Sequence, residues 1–296
     1  MEPILTRDQI VGVVATGYAV RPLLLRRGIA RLEAMGFHPL LGRSVRATDG
    51  YLAGNDDARF EDLSEMMTRE DVAAIWFARG GFGTARLLRR LRPAMLRGRR
   101  PALIGYSDLS ALFAQFTRAR SRRCLYGPVV TELGDGSNYH SGSLKAALAG
   151  REQVIKLRPS QVWCAGRASG VLVGGNLSVL TSLCGTRFAP TLRGRILFLE
   201  DVGEPTYRLD RMLTQWRDAG WLRGLAGVLL GSFIVPPRRH FPPDRDPEEV
   251  LKEFFRPLGV PVVAGLRAGH SRGKRTLVFG APAEIDTVRR RVILGP

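Results

Sequence analysis

The first half of the chain alternates short apolar runs with amphipathic stretches. Residues 9–15 (Gln-Ile-Val-Gly-Val-Val-Ala) are an apolar run ending at Thr16-Gly17. A run of that length, closed by a turn signal, predicts a buried strand. Over 20–35, Val20, Leu23, Leu24, Ile29 and Leu32 recur at helical spacing, and Gly36 follows as a stop. Residues 37–41 read as a second strand, and 64–68 with their neighbours as a helix. A third apolar strand, 73–78, leads into Arg79-Gly80-Gly81-Phe82-Gly83 and a helix over 85–91. Residues 102–105 form a fourth strand and 109–118 a helix. Strands alternating with helices predict parallel pairing in an open α/β sheet. Functional loops in such sheets lie at the carboxyl ends of strands. The glycine loop and Ser107 both take that position.

The pattern changes after about residue 135. Gly134-Asp135-Gly136-Ser137-Asn138 is a loop signal, and a short helix follows over 143–148. Beyond it lie short apolar runs at 170–174, 195–199, 226–231, 260–264 and 275–279, interrupted by one helix over 207–219. Residues 285–293 are expected to form a hairpin with the 275–279 run. The prediction is an N-terminal α/β domain over 1–135, a linker over 136–165, and a smaller β-rich C-terminal domain over 166–296. The Pro/Arg-rich stretch 236–247 reads as an exposed loop.

Length and composition set bounds. The 296 residues suffice for one large domain or two ordinary ones, and 45% hydrophobic with 24% charged residues is ordinary for a globular protein. No apolar stretch reaches the ~18 residues of a membrane span. The N-terminus lacks a basic start followed by an apolar core, so a cytoplasmic protein is expected. Cys124, Cys164 and Cys184 are odd in number and contain no CxxC pair, which favours neither a zinc site nor a disulfide framework. The charge is unusual, 45 basic against 27 acidic residues, or +18. It raises a nucleic-acid partner. However, the basic residues are arginines apart from Lys145, Lys156, Lys252 and Lys274, and aromatics are not interleaved with them as a stacking platform needs. Solvated faces are the favoured reading; affinity for a polyanion is the competing one.

Candidate chemistry begins at Leu103-Ile104-Gly105-Tyr106-Ser107-Asp108-Leu109. A tight strand-to-helix turn lifts a serine hydroxyl clear of the backbone and sets it by N–H groups that stabilise an oxyanion. The G-x-S-x-G elbow lacks its second glycine here, where Leu109 stands. A lone serine or aspartate at such a turn is as readily a helix cap. The loop at 79–83 lacks the third glycine or lysine of a nucleotide loop, and supplying an oxyanion N–H is an equally physical role. A base must come from His38, His140, His240 or His270. Of these, His270 sits in Ala268-Gly269-His270-Ser271-Arg272-Gly273, a loop suited to reaching across a cleft. An orienting carboxylate is also needed. Glu200, at the end of the 196–199 run, is the candidate, half-buried and facing the cleft, with Asp201 and Glu204 as competitors.

Together these segments resemble the LD-carboxypeptidase family of serine peptidases, which includes microcin C self-immunity peptidases. The carrying motifs are Gly50-Tyr51-Leu52-Ala53-Gly54-Asn55-Asp56, Ala78-Arg79-Gly80-Gly81-Phe82-Gly83, the Ser107 turn, and Gly174-Gly175-Asn176-Leu177-Ser178. They continue with Leu197-Phe198-Leu199-Glu200-Asp201-Val202-Gly203-Glu204 ahead of Tyr207-Arg208-Leu209-Asp210-Arg211, and Gly269-His270 ahead of Gly280-Ala281-Pro282-Ala283. Two segments depart from the pattern. Ala15-Thr16-Gly17 replaces an A-P-S-type turn, which could alter the cleft wall. Val278-Phe279 stands where Leu-Pro is frequent.

The resemblance implies a triad of Ser107, His270 and Glu200, with the N–H groups of Gly81 and Asp108 as the oxyanion hole. It implies cleavage of an amide between an L-centre and a terminal D-amino acid. In peptidoglycan recycling this releases D-alanine from a murein tetrapeptide, in the cytoplasm, with no cofactor or metal, by a homodimer. The alternative within the family is a microcin-type immunity hydrolase acting on a peptidyl-nucleotide. The alternative of another class is a non-catalytic polyanion-binding protein.

Overall fold

The apolar runs of the first half become the strands β1 (Ile10–Val14), β2 (His38–Leu41), β3 (Val72–Phe77), β4 (Ala102–Gly105) and β5 (Cys124–Tyr126). They pair in parallel in the order β5-β4-β3-β1-β2. The computed structural model describes residues 2–96, 101–120, 123–236 and 244–295. The helices of this half are α1 (Pro22–Ala34), α2 (Asp56–Thr68), α3 (Thr84–Leu87), α4 (Ser110–Arg118) and α5 (Val130–Leu133). The strands are continuous apolar runs because both faces are covered. Ala74, Trp76 and Ala78 face one core, with Leu25 and Leu32 of α1; Ile75 and Phe77 face the other, with Leu63, Met66 and Phe113.

The second half starts with α6 (Ser141–Leu148), β6 (Gln153–Lys156), β7 (Val162–Cys164), β8 (Arg167–Asn176), α7 (Leu177–Thr181) and β9 (Ile196–Val202). It continues with α8 (Thr206–Asp218), β10 (Gly227–Ile234), α9 (Pro247–Phe255), β11 (Val262–Val263), β12 (Leu277–Phe279), β13 (Pro282–Asp286) and β14 (Arg291–Leu294). Its sheet runs β6-β14-β13-β8-β9-β10-β11-β7. The middle strands β8 to β11 are parallel and the wings antiparallel.

Several expectations change. The hairpin is β13 with β14 alone, registered Asp286 to Arg291. The 277–279 run instead crosses to the first sheet and pairs antiparallel with β5. Residues 136–165 are no mere linker: Leu144 and Ala147 of α6 pack into the first core, and β6 and β7 form the two edges of the second sheet. Helices α7 and α9 interrupt the later runs as well as α8. The start of α9 is set by Asp246, which accepts the Glu248 N–H, followed by Pro247 at the first helical position. That cap and helix close the Pro/Arg-rich stretch; its residues 237–243 lie outside the described residues. The three cysteines form no disulfide. Among the described residues, no helix is long and apolar enough to cross a membrane.

Candidate active site

Ser107 follows β4 and opens a single helical turn ahead of α4. Its φ is +65°, in the left-handed region that a residue with a Cβ rarely enters. Such strain persists only where the surroundings enforce it, and it clusters at functional sites. The elbow therefore exists without its second glycine. Leu109, in that glycine's place, is fully buried against Gly105. The helix-cap alternative does not hold, since neither Ser107 nor Asp108 caps the helix it precedes. The Asp108 carboxylate instead reaches across to accept the Thr84 N–H at the start of α3, 2.9 Å away. Burial pushes its pKa up to about 6, against the lowering effect of its Thr84, Gly83 and Arg59 contacts.

The glycine loop lies against the serine. A Cβ on Gly80 would sit 3.2 Å from Ser107 Cβ. Gly81 has φ +103°, and a Cβ there would come within 2.3 Å of the Tyr18 ring, so only glycine fits. The N–H groups of Gly81 and Asp108 carry no turn, loop or side-chain hydrogen bond among the described residues. Beside the loop, Tyr18, Tyr51 and Phe82 form an aromatic wall with centroid spacings of 5.3 and 6.4 Å. Tyr51 and Phe82 are exposed. At the Thr16-Gly17 departure, Thr16 is fully buried with its hydroxyl bonding Thr84 Oγ1 at 2.7 Å, and Gly17 lies against the Gly80 carbonyl and the Asp108 carboxylate, each 2.9 Å from where a Cβ would sit.

Among the histidines, His38 is exposed and 3.9 Å from Asp8. His140 accepts the Ser143 N–H and caps α6. His240 lies outside the described residues. His270 meets Glu200. Its Nδ1 is 2.7 Å from Glu200 Oε2, and its main-chain N–H donates to the same oxygen at 3.2 Å. This arrangement suits the tautomer with the proton on Nδ1, leaving Nε2 as the basic nitrogen. Gly269, at φ +86°, permits the close approach, because a Cβ there would lie 2.4 Å from the carboxylate.

Glu200 is not at the end of its strand, which runs on to Val202, and it is 0% exposed rather than half-buried. Four donors satisfy its charge: the two from His270, the Tyr126 hydroxyl at 2.7 Å and Asn176 Nδ2 at 3.3 Å, the last two on Oε1. The competing carboxylates are otherwise engaged. Asp201 accepts the Ser178 and Val202 N–H groups, and burial raises its pKa to about 6. Glu204 pairs with Arg208.

Ser107 and His270 are linked by Tyr106, which precedes the serine and lays its ring 4.8 Å from the imidazole. Among the described residues, the Ser107 hydroxyl makes no hydrogen bond of its own. Behind Tyr106 is a cluster that sequence reasoning did not identify. Lys274, 3% exposed, places Nζ 2.6 Å from Glu132 Oε1, 3.3 Å from the Tyr106 hydroxyl and 4.6 Å from the Tyr106 ring centroid. Burial, then Glu132, raises the Tyr106 pKa well above its ordinary value. A usable signal existed, because Lys274 is one of four lysines in a chain that otherwise uses arginine. Asn176 and Tyr126 were also missed as partners of Glu200. No group of three or more His, Cys, Asp or Glu that could hold a metal occurs among the described residues.

Comparison with known proteins places the chain among related sequences and folds. The N-terminal domain model of the LD-carboxypeptidases matches residues 11–127, and the C-terminal domain model matches 169–285. A probable murein peptide carboxypeptidase of Bacillus subtilis is 33% identical over 297 residues, covering 98% of this chain and 92% of its own. The murein tetrapeptide carboxypeptidase of Pseudomonas aeruginosa is 34% identical, covering 96% and 95%. MccF, a microcin self-immunity protein of Escherichia coli, is 26% identical, covering 88% and 84%. The structure of MccF in complex with glutamyl sulfamoyl guanosine shares the fold with a TM-score of 0.87 at 22% identity, covering 100% of this chain and 98% of that one. The chain belongs to the LD-carboxypeptidase family of serine peptidases.

Proposed function

We propose that the protein is a serine LD-carboxypeptidase with Ser107 as nucleophile, His270 as base and Glu200 as its orienting acid. The observation that carries this reading is the fully buried Glu200 held 2.7 Å from His270 Nδ1, in the same site as a serine at φ +65°. In the proposed reaction, His270 Nε2 takes the Ser107 proton as the oxygen attacks the carbonyl carbon of the L-centre. Glu200 stabilises the imidazolium so formed. The N–H groups of Gly81 and Asp108 receive the oxyanion. Collapse breaks the C–N bond, and His270 returns the proton to the leaving amine, which departs as the terminal D-amino acid. Water then hydrolyses the ester by the same path reversed, restoring the hydroxyl of Ser107.

The proposed substrate is a murein tetrapeptide losing D-alanine, which the named activities of the Bacillus and Pseudomonas relatives support. The proposed setting is cytoplasmic peptidoglycan recycling by a homodimer. The division of labour would place the nucleophile within residues 1–135 and the acid and base within 166–296. Ser107→Ala should lower kcat on an LD-tetrapeptide by ~10³-fold or more, with KM largely kept. Retention of most of the activity would refute the assignment. Parallel incubation with an aminoacyl-sulfamoyl nucleoside separates the microcin-type alternative, which requires turnover of that compound alone. Labelling of Ser107 by a serine-reactive phosphonate argues against a non-catalytic polyanion binder.

A further inference from the structure

The main-chain N–H of Ser107 and the carboxylate of Glu200 come from different sheets, and one phenol joins them. Tyr126 ends β5 and is fully buried. Its hydroxyl accepts the Ser107 N–H at 3.3 Å and donates to Glu200 Oε1 at 2.7 Å. A hydroxyl has one proton to give and lone pairs to receive, so both bonds form in one orientation. Burial, then the adjacent Glu200 charge, holds its pKa well above the ordinary range, which keeps it a donor. The ring is fixed by stacking on Phe279 at 4.9 Å, with Phe198 at 5.6 Å and Phe113 at 6.4 Å around it. Phe279 is one of the residues that departs from the family pattern, and it arrives on β12, the strand that crosses from the second half.

We propose that Tyr126 is a positioning residue that sets the strained elbow of Ser107 and the carboxylate of Glu200 in one register. This rests on the triad of the proposed function. Tyr126 acts through its bonds to the Ser107 backbone and to Glu200. Tyr126→Phe keeps the ring and removes both bonds, along with the interaction of the hydroxyl with the Ser110 side chain. Glu200 Oε1 is then left with Asn176 alone, and the less-stabilised carboxylate attracts an imidazolium more strongly. The acid limb of the rate profile should therefore move to higher pH. Other titratable or charged groups around His270 are Tyr106 and, behind it, Lys274 and Glu132, with Asp201 beside Glu200; the substitution leaves them in place.

The test measures the rate of Ser107 labelling by a fluorophosphonate from pH 5 to 9, with kcat and KM on an LD-tetrapeptide. It uses the full chain as wild type, Tyr126→Phe and Phe113→Leu, the last disturbing the same packing without touching the hydroxyl. Tyr126→Phe should label about 10- to 100-fold more slowly, with kcat falling rather than KM rising and the acid limb displaced upward. Phe113→Leu should lower Tm and leave the limb unmoved. A second variant with 4-aminophenylalanine at position 126, which restores a donor on the same ring, should regain most of the rate. Unchanged labelling and limb in Tyr126→Phe would overturn the proposal, as would the same limb shift in Phe113→Leu. A wild type not labelled at Ser107 would overturn the triad reading and this inference with it.

Discussion

At the scale of single residues, the site combines one strained backbone position with buried charges that each have partners. Lys274 illustrates the energetics. Its ammonium is out of water, paired with Glu132 and laid against Tyr106, whose ring supports His270. Removing one partner of a buried pair leaves the other uncompensated. Lys274→Met should therefore cost about 3 kcal/mol in urea unfolding, and adding Glu132→Gln should recover part of that loss. A cost below about 0.5 kcal/mol, the scale of an ordinary surface substitution, would show that the pair does not support the histidine loop. Ser107, Glu200 and His270 could be singled out in the sequence because their segments carry glycines and a carboxylate directly after an apolar run, in a recognisable order. Tyr126 could not, since a tyrosine in a three-residue strand has no local signature and its role exists only across the two sheets.

At the scale of elements, Asp108 latches two loops that come from different strand ends. Its carboxylate holds the start of α3, so the glycine loop and the serine elbow are fixed to one another. The geometry has a pH consequence. A buried acid whose pKa is raised from 3.8 to about 6 binds more protons folded than unfolded between those values, so its contribution to stability falls as pH rises through that window. Asp108→Asn has no proton to lose. Its stability relative to wild type should improve between about pH 4 and pH 6 and level off above that in thermal melts at matched ionic strength, and a pH-independent difference would contradict the buried, raised carboxylate. Most strands and helices of the first half could be predicted because their apolar runs and helical spacings are long enough to read. Elements of two to five residues, such as β5, β11 and α7, depend on tertiary packing more than on local pattern. The partner of β12 was unreadable for the same reason: a short apolar run fits either sheet, and distant contacts decide.

At the scale of the whole molecule, the site lies where the two sheets meet. Tyr126 and Phe279 of the first sheet pack on Phe198 of the second, and Ser110 of α4 accepts the Asn176 N–H. The proposed triad thus draws Ser107 from one half of the chain and Glu200 and His270 from the other. The sequence conveyed this division in outline, but it placed the halves on either side of a linker. In the structure the chain crosses between the sheets more than once, through residues 136–165 and again at β12. The proposed reaction at this seam is cleavage of an L–D amide. Mass spectrometry of a murein tetrapeptide, before and after incubation with the full chain, tests it most directly. Conversion to the tripeptide with release of D-alanine, abolished by Ser107→Ala, is expected; an unchanged tetrapeptide under conditions where Ser107 still reacts with a phosphonate would contradict that reaction.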